Sequence, residues 1–370
     1  MSSSSSTSGT VDRGEGGPPS IQVTGHEQKQ AWADNVFPPV EKVGDGLWSI
    51  PVPIPDNPLR YVLVYALDVG DGVAIVDAGW PTDDAWEALV AGLDVIGSSV
   101  DDVRAVLVTH IHADHYGLAG RVRERSGAWI GLHPLDAELL SSRYDDVDDI
   151  LASMRSLLVE SGVPESDLNE LAEASMRVRD TLSVAEPDVD LVDNFRPELP
   201  GWNLRTIWTP GHSPGHVCFL EEDRQLLLSG DHVLPRITPN VSAHPQQRKE
   251  PLGDFLQSLR KVRDLPVDEV LPAHEYRFAG LAVRVDDMIE HHHDRLREML
   301  QLIEADTGCT SWELTQNLTW SRPWDQIPHF MRRAANGETL AHLHLLERRG
   351  LLEREGSAPA RWFRIRPDDE

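Results

Sequence analysis

Cysteine is nearly missing from this chain. Cys218 and Cys309 are the two in 370 residues, far apart and in no CxxC pattern, which excludes a disulfide framework and a cysteine-rich zinc site. Such usage fits a reducing cytosol, so a cytoplasmic location is expected. Basic residues are also scarce: 34 Lys and Arg stand against 61 Asp and Glu, a formal net charge of −27. A field of that sign repels phosphate backbones, so nucleic acid is not an expected partner and small or neutral substrates are favoured. No run of about 18 apolar residues occurs, and MSSSSSTSGTVDRGEGGPPS has no basic region leading into an apolar one. Neither a membrane span nor a standard secretory signal is expected. The Ser, Gly and Pro of residues 1–25 cannot bury enough apolar surface to offset ordering entropy, and that segment reads as a disordered tail.

What is present is a rhythm of short β-branched runs: RYVLVYAL from Arg60, VAIVDAG from Val73, VRAVLVTH from Val103, LRTIWTPGH from Leu204, HVCFLEE from His216 and QLLLSGDH from Gln225. They read as strands, several buried on both faces. Helical patterns lie between them, over 83–96 behind the cap Thr82 and over 116–126 before Gly127. The fold class is therefore α/β, sheets covered by helices. The length suggests two folded units, 26–280 and 281–370. Within the first, residues 136–195 form an acidic, helical insertion, either a lid over the site or a solvated extension. The second shows three helices, then two short strands around a Gly-Ser-Ala-Pro turn, the outline of a winged helix. It carries 12 Lys and Arg against 16 Asp and Glu, with local clustering at Arg332, Arg333, Arg348, Arg349, Arg361, Arg364 and Arg366.

The chemistry gathers in THIHADHYG, residues 109–117. An extended approach puts His110 and His112 on the same side, where two imidazoles can bind one cation. After the turn, Asp114 and His115 offer a carboxylate and an imidazole to a second cation nearby. The remaining ligands must come from elsewhere. TPGHSPGHV offers His212 and His216, SGDHVLP offers Asp231, and LPAHEYR offers His274, all at strand ends or adjoining loops.

These four motifs, in this order and with VDAG at 76–79, resemble the metallo-β-lactamase-fold hydrolases, especially their glyoxalase II-like branch, over roughly residues 45–280. The resemblance implies an αββα sandwich. It implies a first metal held by His110, His112 and His216, a second by Asp114, His115 and His274, and Asp231 bridging them. His212 would then shape the loop, and Asp77 would order the metal loops by hydrogen bonds. A hydroxide between the metals would be the nucleophile, with Asp114 guiding a proton to the leaving group. Two Zn2+ are expected, although the same ligands accept iron or manganese. The C-terminal unit resembles the winged-helix segment that follows some of these hydrolases. His291, His292 and His293 point to different helix faces and read as packing and surface residues, as do His342 and His344.

The expected activity is dinuclear, metal-dependent hydrolysis of a thioester, lactone or related activated ester, with Arg236 and Arg277 as candidate substrate contacts. A ribonuclease or phosphodiesterase is the first alternative, opposed by the acidic charge. A mononuclear iron persulfide dioxygenase would use fewer ligands. A non-enzymatic DNA-binding regulator would need a basic recognition helix, and ETLAHLHLLERRG is only mildly basic. The C-terminal unit is expected instead to pack on the catalytic domain or mediate homodimer contacts.

Overall fold

A computed structural model describes residues 20–144, 148–173, 182–304 and 307–365. The strand β4 (Tyr61–Asp68) shows how the layers arise. Its side chains alternate between two cores: Val62, Val64 and Ala66 face one, while Tyr61, Leu63, Tyr65 and Leu67 face the other. A strand apolar over seven successive positions sits inside a stack, with a layer on each face.

Two sheets form that stack. The first has the order β2 (Glu41–Gly44), β3 (Leu47–Pro53), β4, β5 (Val73–Val76), β6 (Val103–Leu107), β7 (Trp129–Leu132) and β8 (Val189–Asp190). The second runs β1 (Gln22–Val23), β13 (Phe278–Ala279), β12 (Glu269–Pro272), β11 (Leu226–Gly230), β10 (Val217–Glu221) and β9 (Leu204–Trp208). Leu63, Leu67, Phe219, Leu228 and Leu271 fill the space between them. Outside the first sheet, Leu89 and Leu93 of α2 (Asp83–Val95) and Val122 of α4 (Ala119–Ser126) cover its other face. Outside the second lie α9 (Pro251–Arg263) and α10 (Leu281–Leu302). The expected αββα sandwich is what the chain forms.

Local rules hold at the helix ends. Thr82 accepts from the Ala85 amide at 3.4 Å, a cap of the kind worth about 1 kcal/mol. Gly127 closes α4 in the left-handed region at φ 74°. The tail boundary moves: residues 1–19 lie outside the described residues, but Gln22 and Val23 already pair with Ala279 and Phe278.

The described part of the acidic stretch at 136–195 packs against the C-terminal helices. Its helices α7 (Asp148–Glu160) and α8 (Leu168–Glu173) bury Met154, Leu158 and Leu171 against Trp312 of α11 (Ser311–Asn317). Ser161 O accepts from the Trp312 amide at 3.0 Å, and its hydroxyl accepts from Asn336 of α12 (His329–Arg348) at 3.0 Å. Residues 145–147 and 174–181 of this stretch lie outside the described residues. Past residue 281, three helices lead into the antiparallel hairpin β14 (Leu352–Glu355) and β15 (Arg361–Arg364). One core runs through the boundary, joining Cys218, Leu227 and Phe255 to Val285, Met288, Leu340 and Trp362. Three of the C-terminal arginines are engaged within the molecule: Arg348 pairs with Glu250, Arg354 with Glu160, and Arg361 reaches Thr307 O.

Candidate metal centre

Five chain segments deliver side chains to one edge of the sandwich. β5 leads to Asp77, β6 to the loop 109–112 and the short helix α3 (Ala113–Tyr116), the β9–β10 connection carries 209–216, β11 leads to Asp231, and β12 to His274. The sheets are tied together here, since Val217 N donates to Thr109 O at 2.9 Å and Leu63 N to Ala273 O at 2.7 Å. Gly230 has to be glycine: at φ 51° its backbone passes so near that a Cβ would lie 2.8 Å from His216 Nε2 and 2.9 Å from Thr109 Cβ.

Three ring nitrogens converge on one point. His110 Nε2 and His212 Nε2 each lie 2.9 Å from His112 Nδ1 and 3.2 Å from one another. Beside them a second group faces inward. His274 Nε2 is 3.1 Å from Asp231 Oδ1 and 3.5 Å from Asp114 Oδ2, and His115 Nε2 is 3.6 Å from each of these carboxylate oxygens. The other oxygen of Asp231, Oδ2, turns to His212 Nε2 at 3.4 Å. One carboxylate thus spans the two groups.

Outer partners aim the rings. His212 Nδ1 donates to Asn240 O, His274 Nδ1 to Tyr61 O and His115 Nδ1 to the Asp77 carboxylate, each at 2.8 Å. All three partners only accept, so each Nδ1 donates outward and Nε2 is the ring atom that faces the centre. Asp77 is held in the left-handed region at φ 63°, a conformation Asp adopts when its short side chain bonds locally. It accepts from Thr109 N at 2.8 Å and from Thr109 Oγ1 at 2.9 Å, so it orders the metal loop as expected.

The electrostatics divide the centre in two. Burial pushes His110 and His112 well below the usual histidine range, with the neighbouring imidazoles adding to it, so their rings are neutral. Around His115, burial acts in the same direction but Asp114, Asp77 and Asp231 outweigh it, and its pKa rises to about 10. His274 rises likewise through Asp231. Burial pushes Asp231 up, yet His274 and His115 outweigh it and hold the carboxyl well below its ordinary value.

The Metallo-beta-lactamase superfamily profile matches residues 57–274, a span that contains every side chain just described. The chain belongs to the Metallo-beta-lactamase superfamily. It is 26% identical over 295 residues to a probable metallo-hydrolase of Bacillus subtilis, covering 77% of this chain and 88% of that protein. It is 25% identical over 290 residues to a beta-lactamase-like protein 2 homolog of Caenorhabditis elegans, covering 77% and 80%. Among solved structures, a metallo-beta-lactamase family protein from Thermus thermophilus superimposes with a TM-score of 0.77 at 34% identity, over 88% of this chain and all of that one. The relatives support a metal-dependent hydrolase.

The donors of this superfamily member fit divalent metal. His115 Nε2, His274 Nε2 and Asp231 Oδ1 are buried with no hydrogen-bond partner among the described residues, an arrangement that is costly unless a cation joins them. Ligand atoms on a tetrahedral ion at about 2.0–2.1 Å lie roughly 3.3 Å apart, close to the separations found in both groups.

One expected ligand is corrected. His216 does not enter the cluster: its Nε2 accepts from the Asp231 amide at 3.2 Å and its Nδ1 bonds Thr209 Oγ1 at 2.8 Å, so both nitrogens are spent. The loop places His212 there instead. Arg277 is also corrected, because its buried guanidinium is enclosed by the Glu41 and Glu269 carboxylates and cannot meet a substrate. Arg236 donates through Nε and Nη2 to Glu275, which follows His274 and is fully buried at φ 69°. Its side chain remains half exposed.

Asp136 was not anticipated. Fully buried, it accepts from Ile111 N at 2.9 Å, Ser213 Oγ at 2.8 Å and Gly215 N at 2.6 Å, fastening the loop of His110 and His112 to that of His212. The cysteines hold no reactive thiolate, since burial pushes Cys218 to about 12 and Cys309 to about 11.

Proposed function

We propose that this protein is a dinuclear metal-dependent hydrolase, zinc being the default metal, that cleaves a thioester, lactone or related activated ester. The observation that carries this reading is Asp231, whose two oxygens face different groups of donors. His110, His112 and His212 would hold one ion and Asp114, His115 and His274 the other, with Asp231 between them. When bound, such a pair lowers the pKa of water and polarises a carbonyl oxygen. The chain's own part is orientation and proton handling. Asp77, Asp136, Asn240 and Tyr61 fix the donors before substrate arrives. Asp114, whose side chain is the most open of the second group, is placed to pass a proton to the leaving group. The glyoxalase II-like branch is a functional analogy for that donor set, and the three helices and hairpin after residue 281 have the outline of a winged helix serving as a packing unit.

The test is metal content by mass spectrometry together with hydrolysis of a thioester and lactone panel, for wild type, His212→Ala and His216→Ala. The reading expects about two ions in wild type, clear loss of metal in His212→Ala, and retention of most metal in His216→Ala. A single iron per chain with no hydrolysis would overturn it.

A further inference from the structure

The helix α1 (His26–Ala33) ends in a way that turns apolar side chains towards solvent. Asn35 stands in the left-handed region at φ 57°, Val36 N donates to Ala31 O at 3.0 Å, and Asn35 N donates to Trp32 O at 3.4 Å. Such paired bonds close a helix, and the residue in the place of Val36 frequently packs back on the last turn. Here it does not. Val36 is 55% exposed and Phe37 58%. The two bonds on one side, and the fixed φ of Pro38 and Pro39 on the other, hold both side chains outward on a defined backbone.

Tyr61 links these residues to the metal centre. Its carbonyl orients His274, and its hydroxyl donates to Glu275 O at 2.9 Å. Against its ring stand Trp32 and Phe37, edge-on at centroid distances of 5.7 and 6.2 Å. Two guanidiniums join the group. Arg60 lies over the Trp32 ring at 3.8 Å and is fixed there by donating to Asn35 Oδ1 at 3.0 Å and to Trp32 O at 2.8 Å. Arg236 lies 5.5 Å from the same ring, held by Glu275, with half of its side chain exposed. Asn35, Arg60 and Glu275 are also three of the seven non-glycine residues of positive φ among the described residues, at 57°, 64° and 69°. Strain of this kind gathers where a ligand is held.

We infer that Val36, Phe37, Arg60 and Arg236 form a subsite for an aryl group of the substrate, on the side of the metal centre bounded by Tyr61. The inference rests on the hydrolase reading and names the substrate class as an arylalkyl ester or thioester. An apolar patch rimmed by polar groups and continuous with a reaction centre fits part of the reacting molecule. The guanidiniums make the choice of an aryl ring. A saturated ring gains contact with Phe37 and Val36 alone, whereas the negative face of an aromatic ring is also attracted to a cation beside it.

The test is calorimetric binding to the metal-replete full chain of propanoate, 3-cyclohexylpropanoate and 3-phenylpropanoate, and of the thiols that carry the same ethyl, cyclohexylethyl and phenylethyl groups. The acids stand for the acyl product and the thiols for the leaving group, so the series that responds shows which side of the scissile bond carries the ring. In that series both rings are expected to raise affinity on the order of tenfold over the short compound, through apolar contact. Phe37→Ser should remove most of this gain for both. Arg60→Met should lower the phenyl-to-cyclohexyl ratio about two- to fivefold, the size of an exposed cation–π contact. Melting temperature and metal content show that each variant is folded, and the exposure of Phe37 makes its replacement the safer of the two. No gain from a ring in either series, or a gain and a ratio unchanged in the folded variants, overturns the subsite and leaves the hydrolase reading intact. So does a Phe37→Ser variant that turns a dimer into monomers in sedimentation and keeps the ring gain, because the patch is then an interface between copies. Ring-dependent binding that needs Phe37, in a protein that hydrolyses no ester or thioester, supports the subsite and removes the hydrolase reading.

Discussion

The metal centre and the C-terminal helices both hold clusters of buried histidines, and the clusters differ in what surrounds each ring. At the centre, acceptor-only partners take the Nδ1 protons of His115, His212 and His274, and the Nε2 atoms face inward beside the carboxylates of Asp114 and Asp231. Between α10 and α12, His292 Nδ1 lies 3.1 Å from His342 Nε2, and His342 Nδ1 donates to Glu338 O at 2.8 Å. There one ring satisfies the other, and no carboxylate oxygen joins them in a metal-like group among the described residues. A metal centre is thus distinguished by orientation and negative charge; a buried run of histidines does not make one.

The sharpest way to break this contrast is to remove the charge that links the two donor groups. Asp231→Ala should release both ions and reduce hydrolysis well beyond the roughly 10–100-fold that loss of an outer partner costs. Metal analysis and kcat on the same preparation decide it. If the variant kept two ions, the spanning carboxylate would be incidental and the histidines alone would suffice. A finer cut leaves the donors in place and disturbs only their aim. Asp77→Asn keeps the size of the side chain but offers His115 Nδ1 an amide that can turn its donor group towards the ring. A roughly 10–100-fold weaker metal affinity is expected, measured by chelator competition, with little change in melting temperature of the metal-free protein.

How far such contrasts can be read from sequence depends on distance along the chain. The sandwich was legible in β4, where Tyr61 to Leu67 are all apolar, whereas β3 was concealed by Pro51 and Pro53, which count against a strand. His110, His112, Asp114 and His115 were legible because one turn places them all. The choice between His212 and His216 was not. Both stand in the same nine-residue motif, and what separates them is that His216 leads directly into β10 and turns under the Asp231 amide, while His212 meets Asn240, 28 residues away. Asp136 was hidden for the same reason, because its partners lie 25 to 79 positions away. Arg277 ends the LPAHEYR motif, yet Glu41, distant in sequence, closes over it.

The smallest expected effect concerns the second cluster, and it should appear in stability while metal content stays constant. Burial pushes His292 well below the ordinary histidine value, with the His342 ring adding to it, and burial pushes His342 to about 3. Both rings are therefore neutral in the folded chain at pH values where the unfolded chain, with histidines near 6.5, takes up protons. The stabilisation is fully present above about pH 6.5 and is lost progressively as the pH falls towards 3, at up to about 1.4 kcal/mol per pH unit for each ring. Ligand protonation at the metal centre adds its own acid sensitivity, so the comparison is between wild type and His342→Phe, whose centre is the same. The variant should lose less stability between pH 6.5 and 5 in urea unfolding and carry the wild-type complement of metal at pH 7.5. Identical slopes would mean that the His292–His342 pair is protonated or opened in the folded state, and metal loss in the variant would mean that the two clusters communicate through Phe255 and His232, whose rings stand between them at centroid distances of 5.2 to 5.9 Å.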